Sequence, residues 1–79
     1  MNDPKAFLIT LARKKMIECE SKHVDIEDSE LLRTPLDNLG LDSLRTLELI
    51  MDAESEFGVE IDEDDVDRDF ALTNILNRI

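Results

Sequence analysis

A chain of 79 residues fits one domain, expected over 1–79, and a domain this small buries only about 60% of the surface its unfolded chain exposes, too little to enclose a deep catalytic pocket. Its 20 Asp and Glu against 9 Lys and Arg give a net charge of −11, which repels phosphate backbones and anionic lipid and attracts basic protein surfaces. Nucleic acid and membranes are therefore not expected partners, and a single cysteine excludes a disulfide framework, which suits a reducing, cytoplasmic setting.

The first element is predicted to open at Asp3 as N-cap with Pro4 in the first helical position, where its missing N–H costs nothing and its fixed φ suits the helix. Phe7, Leu8, Leu11, Ala12, Met16 and Cys19 fall in one arc at helical spacing, with Thr10, Arg13 and Lys14 opposite. Lys15 interrupts that arc and Ile17 lies outside it, so the helix is expected to end between Ile17 and Lys22. No apolar segment precedes a small-residue cleavage site, and no apolar run reaches the length of a membrane span, so neither an export signal nor a span is expected.

From there to Asp42 the pattern loses its period. Val24, Ile26, Leu31, Leu32, Leu36, Leu39 and Leu41 are spread among acids and interrupted by Pro35 and Gly40, which reads as a long loop pinned to a core. The next helix is expected over Ser43–Phe57, with Gly58 suited to its C-cap. Leu44, Leu47, Leu49, Ile50, Met51, Ala53 and Phe57 cover more than half its circumference, Glu54 is expected to snorkel out of that arc, and the remaining strip is mostly acidic. The acidic run Asp62–Asp69 suggests a short helix around Glu63–Asp67, and Thr73 is expected to cap a last helix carrying Leu72, Ile75, Leu76 and Ile79. The fold expected is all-α, a four-helix bundle of three main helices and one short helix with a long loop between helices one and two.

Leu39-Gly40-Leu41-Asp42-Ser43-Leu44, where the long loop runs into an acidic helix, is the segment that carries chemistry. A hydroxyl at a helix N-terminus sits where unpaired backbone N–H groups and the positive end of the helix dipole meet, a favourable place for a phosphate. On local chemistry alone, Ser43 or Asp42 as a plain helix cap is the commoner role. The context changes the balance. Gly40 to Leu44, followed by Thr46-Leu47-Glu48-Leu49 and Glu54-Ser55-Glu56-Phe57, resembles the phosphopantetheine attachment segment and second helix of acyl carrier proteins, and the resemblance extends over most of the chain.

That resemblance implies a 4′-phosphopantetheine arm, derived from coenzyme A and attached covalently to Ser43 by a phosphopantetheinyl transferase. It implies a non-catalytic monomer that holds acyl intermediates as thioesters for fatty-acid, polyketide or related biosynthesis. The sulfur chemistry would be the cofactor's, and the protein would supply tethering and recognition. Acyl-loading and acyl-processing enzymes with basic docking patches would read Asp42, Glu48, Asp52 and Glu56, with Leu44 and Met51 as apolar contacts. Arg45, which departs from the family's usual acidic residue, belongs to the same recognition face and is placed to pair with Glu48. Arg45 and Ser55 point away from fatty-acid synthesis toward a more specialised pathway. An aminoacyl or peptidyl carrier using the same serine is the near alternative, and an unmodified acidic interaction module is the alternative of a different class.

The remaining signals are weak. With Asp65, Asp67 and Asp69 as first ligands, Phe70 falls where a calcium loop needs Gly and Leu76 where it needs Glu, so no EF-hand is expected, and no zinc spacing is present. Cys19 reads as a small core residue and His23 as a loop residue without a catalytic partner.

Overall fold

The computed structural model describes residues 3–79, except the side chain of Glu63. Four helices appear in the order α1 (Pro4–Glu18), α2 (Asp28–Arg33), α3 (Ser43–Phe57) and α4 (Leu72–Leu76), with single 3₁₀ turns at Leu36–Leu39 and Glu63–Asp65 and no strand among the described residues. The all-α bundle is as expected, but two of its helices are long and two are short. The long pair, α1 and α3, pack on each other, and α2 packs on α4.

Helix α1 starts where its cap predicts. The Asp3 carboxylate accepts a hydrogen bond from the Lys5 N–H at 3.0 Å, and Pro4 follows as the first helical residue. The helix ends at Glu18, inside the expected window, in a turn where Ser21 N–H donates to Met16 C=O at 2.9 Å and Glu20 N–H donates to Ile17 C=O at 3.0 Å. This is a Schellman closure, in which the left-handed position is held by Glu20 at φ 56° rather than by glycine. Cys19, expected in the core, falls on the cap itself and is only half-buried.

The connection expected as a loop contains α2. Its six residues have no side-chain N-cap and are too few to be stable alone. The helix forms because Leu31 and Leu32 are buried, and Pro35 stops it by disfavouring helical geometry at the preceding Thr34. Side chains from outside the segment hold the rest. The Arg13 guanidinium donates to Val24 C=O at 2.5 Å, Ile26 C=O at 2.6 Å and the Asp28 carboxylate at 2.7 Å. Further on, Leu36 N–H donates to Phe70 C=O at 2.8 Å.

The short helix expected at Glu63–Asp67 is one 3₁₀ turn, Glu63–Asp65. Here aspartates compete with helical bonding by capping their own neighbours: Asp62 accepts from Asp64 N–H at 3.1 Å and Asp67 from Asp69 N–H at 2.9 Å. Helix α4 begins two residues before the expectation, with Ala71 rather than Thr73 at the cap position. Ala71 has no side-chain acceptor to offer, so the helix start is closed from the other direction by Asn74, whose side-chain oxygen accepts from Ala71 N–H at 2.8 Å. Leu8, Met16, Leu31, Leu36, Leu39, Leu49, Leu72 and Ile75 are fully buried at the centre. Phe7 and Phe57 meet edge to face, ring centroids 5.3 Å apart.

Candidate functional site at the start of helix α3

Two residues shape the approach to α3. Gly40 closes the 3₁₀ turn at φ 80°, a left-handed conformation that L side chains rarely adopt. A Cβ there would also lie 2.6 Å from Ser21 Oγ, the hydroxyl that donates to Leu39 C=O. Asp42 is then extended, and its carboxylate accepts from Arg45 N–H at 2.7 Å while its carbonyl accepts from Thr46 N–H at 3.0 Å.

The cap is therefore Asp42, and the open choice between Asp42 and Ser43 is decided. Ser43 becomes the first helical residue, exposed, with its hydroxyl not needed to close the helix. Helix geometry leaves the N–H groups of the first turn without intrahelical acceptors, and the positive end of the dipole lies at the same place. Of those donors, Asp42 serves Arg45. A phosphate ester on Ser43 would sit beside the others, so the residues present fit a phosphopantetheine arm.

A cleft of about 560 Å³ begins at Ser43 and runs along α3 past Thr46, Leu47, Ile50 and Met51 to Glu54, with Asp37, Leu41, Ile61 and Val66 completing its walls. Glu54 does not simply snorkel out. Its carboxylate accepts from Ile61 N–H at 2.8 Å and ties the segment after Gly58 back to the helix.

The residues expected to meet partners divide into two groups. Leu44 and Met51 are each 56% exposed, and Leu47, expected in the core arc, joins them at 50%. Their spacing of three and four residues aligns them along one strip beside Ser43. An exposed residue cannot be told from a buried one where apolar residues cover most of a helix, so nothing in the sequence marked Leu47.

Three of the charged members, Arg45, Glu48 and Asp52, instead face α1. Lys15 Nζ lies 3.4 Å from Glu48, 3.7 Å from Asp52 and 4.0 Å from Glu18, and Arg45 Nε lies 3.2 Å from Glu18, a charge contact without hydrogen-bond alignment. The expected pairing of Arg45 with Glu48 is present at 3.8 Å. Burial alone would lower the Lys15 pKa, but the hydrogen bond to Glu48 and the charges of Glu48, Glu18 and Asp52 outweigh it and raise it above the ordinary value of 10.5. Lys15, which looked like an interruption of an apolar arc, is thus the centre of the α1–α3 charge network. Asp42 and Glu56 are exposed at either end of the helix.

Among the described residues no group of three His, Cys, Asp or Glu is placed to hold a metal ion, and no helix is long and apolar enough to cross a membrane.

Residues 16–77 match the family described as phosphopantetheine attachment site. Three similar proteins are each named acyl carrier protein. One from Desulforapulum autotrophicum is 38% identical over 66 residues, covering 84% of this chain and 86% of that protein. One from Zymomonas mobilis is 43% identical over 61 residues, covering 75% and 76%. One from Thermotoga maritima is 34% identical over 61 residues, covering 75% of each. No solved structure matches significantly. A family match over most of the chain, with relatives aligned over most of their own length, establishes that the chain belongs to the phosphopantetheine-binding family of acyl carrier proteins, whose covalent prosthetic group is 4′-phosphopantetheine.

Proposed function

We propose that Ser43 is the residue that carries the arm, and that the chain, a carrier protein by family, works as a non-catalytic, cytoplasmic monomer of one domain. The observation that supports this best is the division of labour at α3: Asp42 closes the helix, leaving the Ser43 hydroxyl exposed at the positive helix end and at the lip of a cleft. In the loading reaction the Ser43 oxygen forms a new P–O bond and the pyrophosphate linkage of coenzyme A breaks. The nucleotide half leaves, and the hydroxyl proton passes to a base on the transferase. The bound arm supplies a thiol that holds cargo as a thioester, and this chain's residues tether it and present it.

Partners are the transferase and acyl-loading or acyl-processing enzymes with basic patches. The strip Leu44, Leu47 and Met51 offers them apolar contact, and Asp42, Glu48, Asp52 and Glu56 offer charge, with Arg45 modulating it. Modest docking affinity then lets a tethered cargo visit successive enzymes. The relatives' names favour an acyl cargo over an aminoacyl or peptidyl one. Arg45, standing where the family commonly has an acidic residue, is the sequence feature that favours polyketide or another specialised biosynthesis over fatty-acid synthesis.

Incubation with coenzyme A and a broad-specificity phosphopantetheinyl transferase, followed by intact mass, tests the assignment. A gain of one phosphopantetheine in the wild type and none in Ser43→Ala is expected. No gain, or a gain that persists in Ser43→Ala, overturns it.

A further inference from the structure

Two stripes lie side by side on the solvent side of α3. At about 100° per residue, Leu44, Leu47 and Met51 form one, and Arg45, Glu48 and Asp52 form the next, centred about 100° away. An enzyme seated on the first therefore reaches the second. The apolar stripe is open, its members 56%, 50% and 56% exposed. The charged stripe is already taken up by the protein's own cations. Lys15 Nζ lies 3.4 Å from Glu48 and 3.7 Å from Asp52, and Arg45 lies 3.2 Å from Glu18 and 3.8 Å from Glu48. Three carboxylates against two cations leave this cluster one charge from neutral, although the chain as a whole carries −11.

Resting on the reading that Ser43 carries the arm and that α3 meets its enzymes, we infer that Lys15 and Arg45 withhold Glu48 and Asp52 from those enzymes. The partner this face fits is then one whose docking patch is apolar opposite Leu44, Leu47 and Met51, and Lys15 and Arg45 determine specificity by masking charge. Charge complementarity supports the match. A foreign cation brought to a cluster near neutrality gains little, and it has to displace a cation already in place. An apolar patch meets no such competitor on the open stripe.

Burial makes the masking hard to undo. The Lys15 side chain is 11% exposed, so it cannot follow its charge into water when a partner takes its carboxylates. Handing Glu48 and Asp52 to a partner would strand an ammonium in low-dielectric surroundings, the costly state for a buried ion. Those carboxylates more than offset the burial of Lys15, as the direction of its pKa shows. Arg45, 27% exposed, closes the other end of the cluster, and Glu48 is shared between the two cations. An enzyme that docks through lysines and arginines alone is thereby disfavoured, and one that covers the apolar stripe is accepted.

The test uses a phosphopantetheinyl transferase with a basic docking face, the one enzyme that the Ser43 reading itself requires. It is titrated into the chain without coenzyme A and followed by NMR. The methyl groups of Leu44, Leu47 and Met51 should shift, while the carboxyl carbons of Glu48 and Asp52 and the Lys15 ammonium signal stay where they are. In parallel, Arg45→Gln is compared with Arg33→Gln, which makes the same change in net charge and releases Glu30 on α2 instead. At about 50 mM NaCl, Arg45→Gln should tighten binding about fivefold and Arg33→Gln less than about twofold, and about 500 mM NaCl should remove the difference. Leu47→Gln with Met51→Gln should weaken binding about tenfold at either salt concentration. Urea unfolding checks that each variant folds, and the wild-type titration decides alone if Arg45→Gln does not.

Movement of the Glu48 and Asp52 carboxyl carbons, with faster exchange of the Lys15 ammonium, overturns the masking by showing that the acids pass to the partner. Equal effects of Arg45→Gln and Arg33→Gln overturn it too, by reducing Arg45 to a contribution to overall charge. Either result leaves the Ser43 assignment standing when coenzyme A is added and the mass gain appears. Absence of that gain overturns the Ser43 assignment and the choice of partner with it.

Discussion

Helix α3 and the connection over residues 19–42 are built in opposite ways, although they meet at Ser43. The helix carries its own boundaries: Asp42 accepts from Arg45 N–H, and Gly58 takes φ 66° and donates to Glu54 C=O at 2.8 Å. The connection is held mainly from outside, by Arg13 on three oxygens and by Phe70 C=O receiving Leu36 N–H, with Ser21 on Leu39 C=O joining its two ends. Short-range chemistry can build a helix, but an irregular segment is ordered only when distant groups satisfy its backbone. The serine is therefore aimed by two systems, a local cap and a set of long-range ties.

If the connection is held as tightly as the helix, its buried leucines should matter equally. Leu39→Ala removes a fully buried side chain and should cost about 2–5 kcal/mol, comparable to Leu49→Ala in α3, as read from urea unfolding. A loss below about 1 kcal/mol for Leu39 alone, against that expected range, would show the connection to be loosely packed and would break the comparison.

The next effect isolates the external ties. Arg13→Met leaves the Val24 and Ile26 carbonyls without their donor and should cost about 2 kcal/mol, with amide exchange rising first over residues 22–28. Arg13→Lys should recover only part of this, because an ammonium cannot reproduce a planar fork spanning three acceptors. Full recovery would reduce the contact to simple charge.

The two glycines separate conformation from contact. Gly58→Ala meets open space and should cost about 1 kcal/mol for its positive φ alone. Gly40→Ala adds the contact with Ser21 Oγ and should cost closer to 2 kcal/mol by thermal midpoint. In a Ser21→Ala background the Gly40→Ala cost should fall toward the Gly58 value, and no change would mean that the hydroxyl yields freely.

The smallest effect is one of pH. Because the folded-state pKa of Lys15 is raised above 10.5, its contribution to stability is fully present below that value and is lost as pH rises through the folded pKa. The gap in urea midpoint between wild type and Lys15→Met should thus be constant from pH 7 to 9 and narrow above pH 10.5. A gap that stays constant through that rise would mean that Lys15 acts through packing of its stem and not through its charge.

The candidate site was more legible than the fold around it. Ser43, Asp42 and Gly40 are adjacent in the chain, so their motif survives without knowledge of any distant contact. Leu47 and Glu54 were misplaced for the opposite reason: which side of α3 is covered depends on where α1 and the 61–66 segment lie, and no local pattern records that. Arg45 was expected to pair with Glu48, which is on its own helix, and the nearer Glu18 went unforeseen because it lies on another.

By itself the sequence determined α1 and α3, the acidic field and the serine proposed to carry the arm, because capping motifs, periodicity and charge are properties of neighbouring residues. Tertiary structure alone decided the rest. It made a helix of Asp28–Arg33 by burying Leu31 and Leu32, reduced the acidic run to a 3₁₀ turn, and enclosed Lys15 among three carboxylates. It also opened the groove beside Ser43. Each of these outcomes depends on a group far away in the chain that supplies burial, an acceptor or an opposing charge.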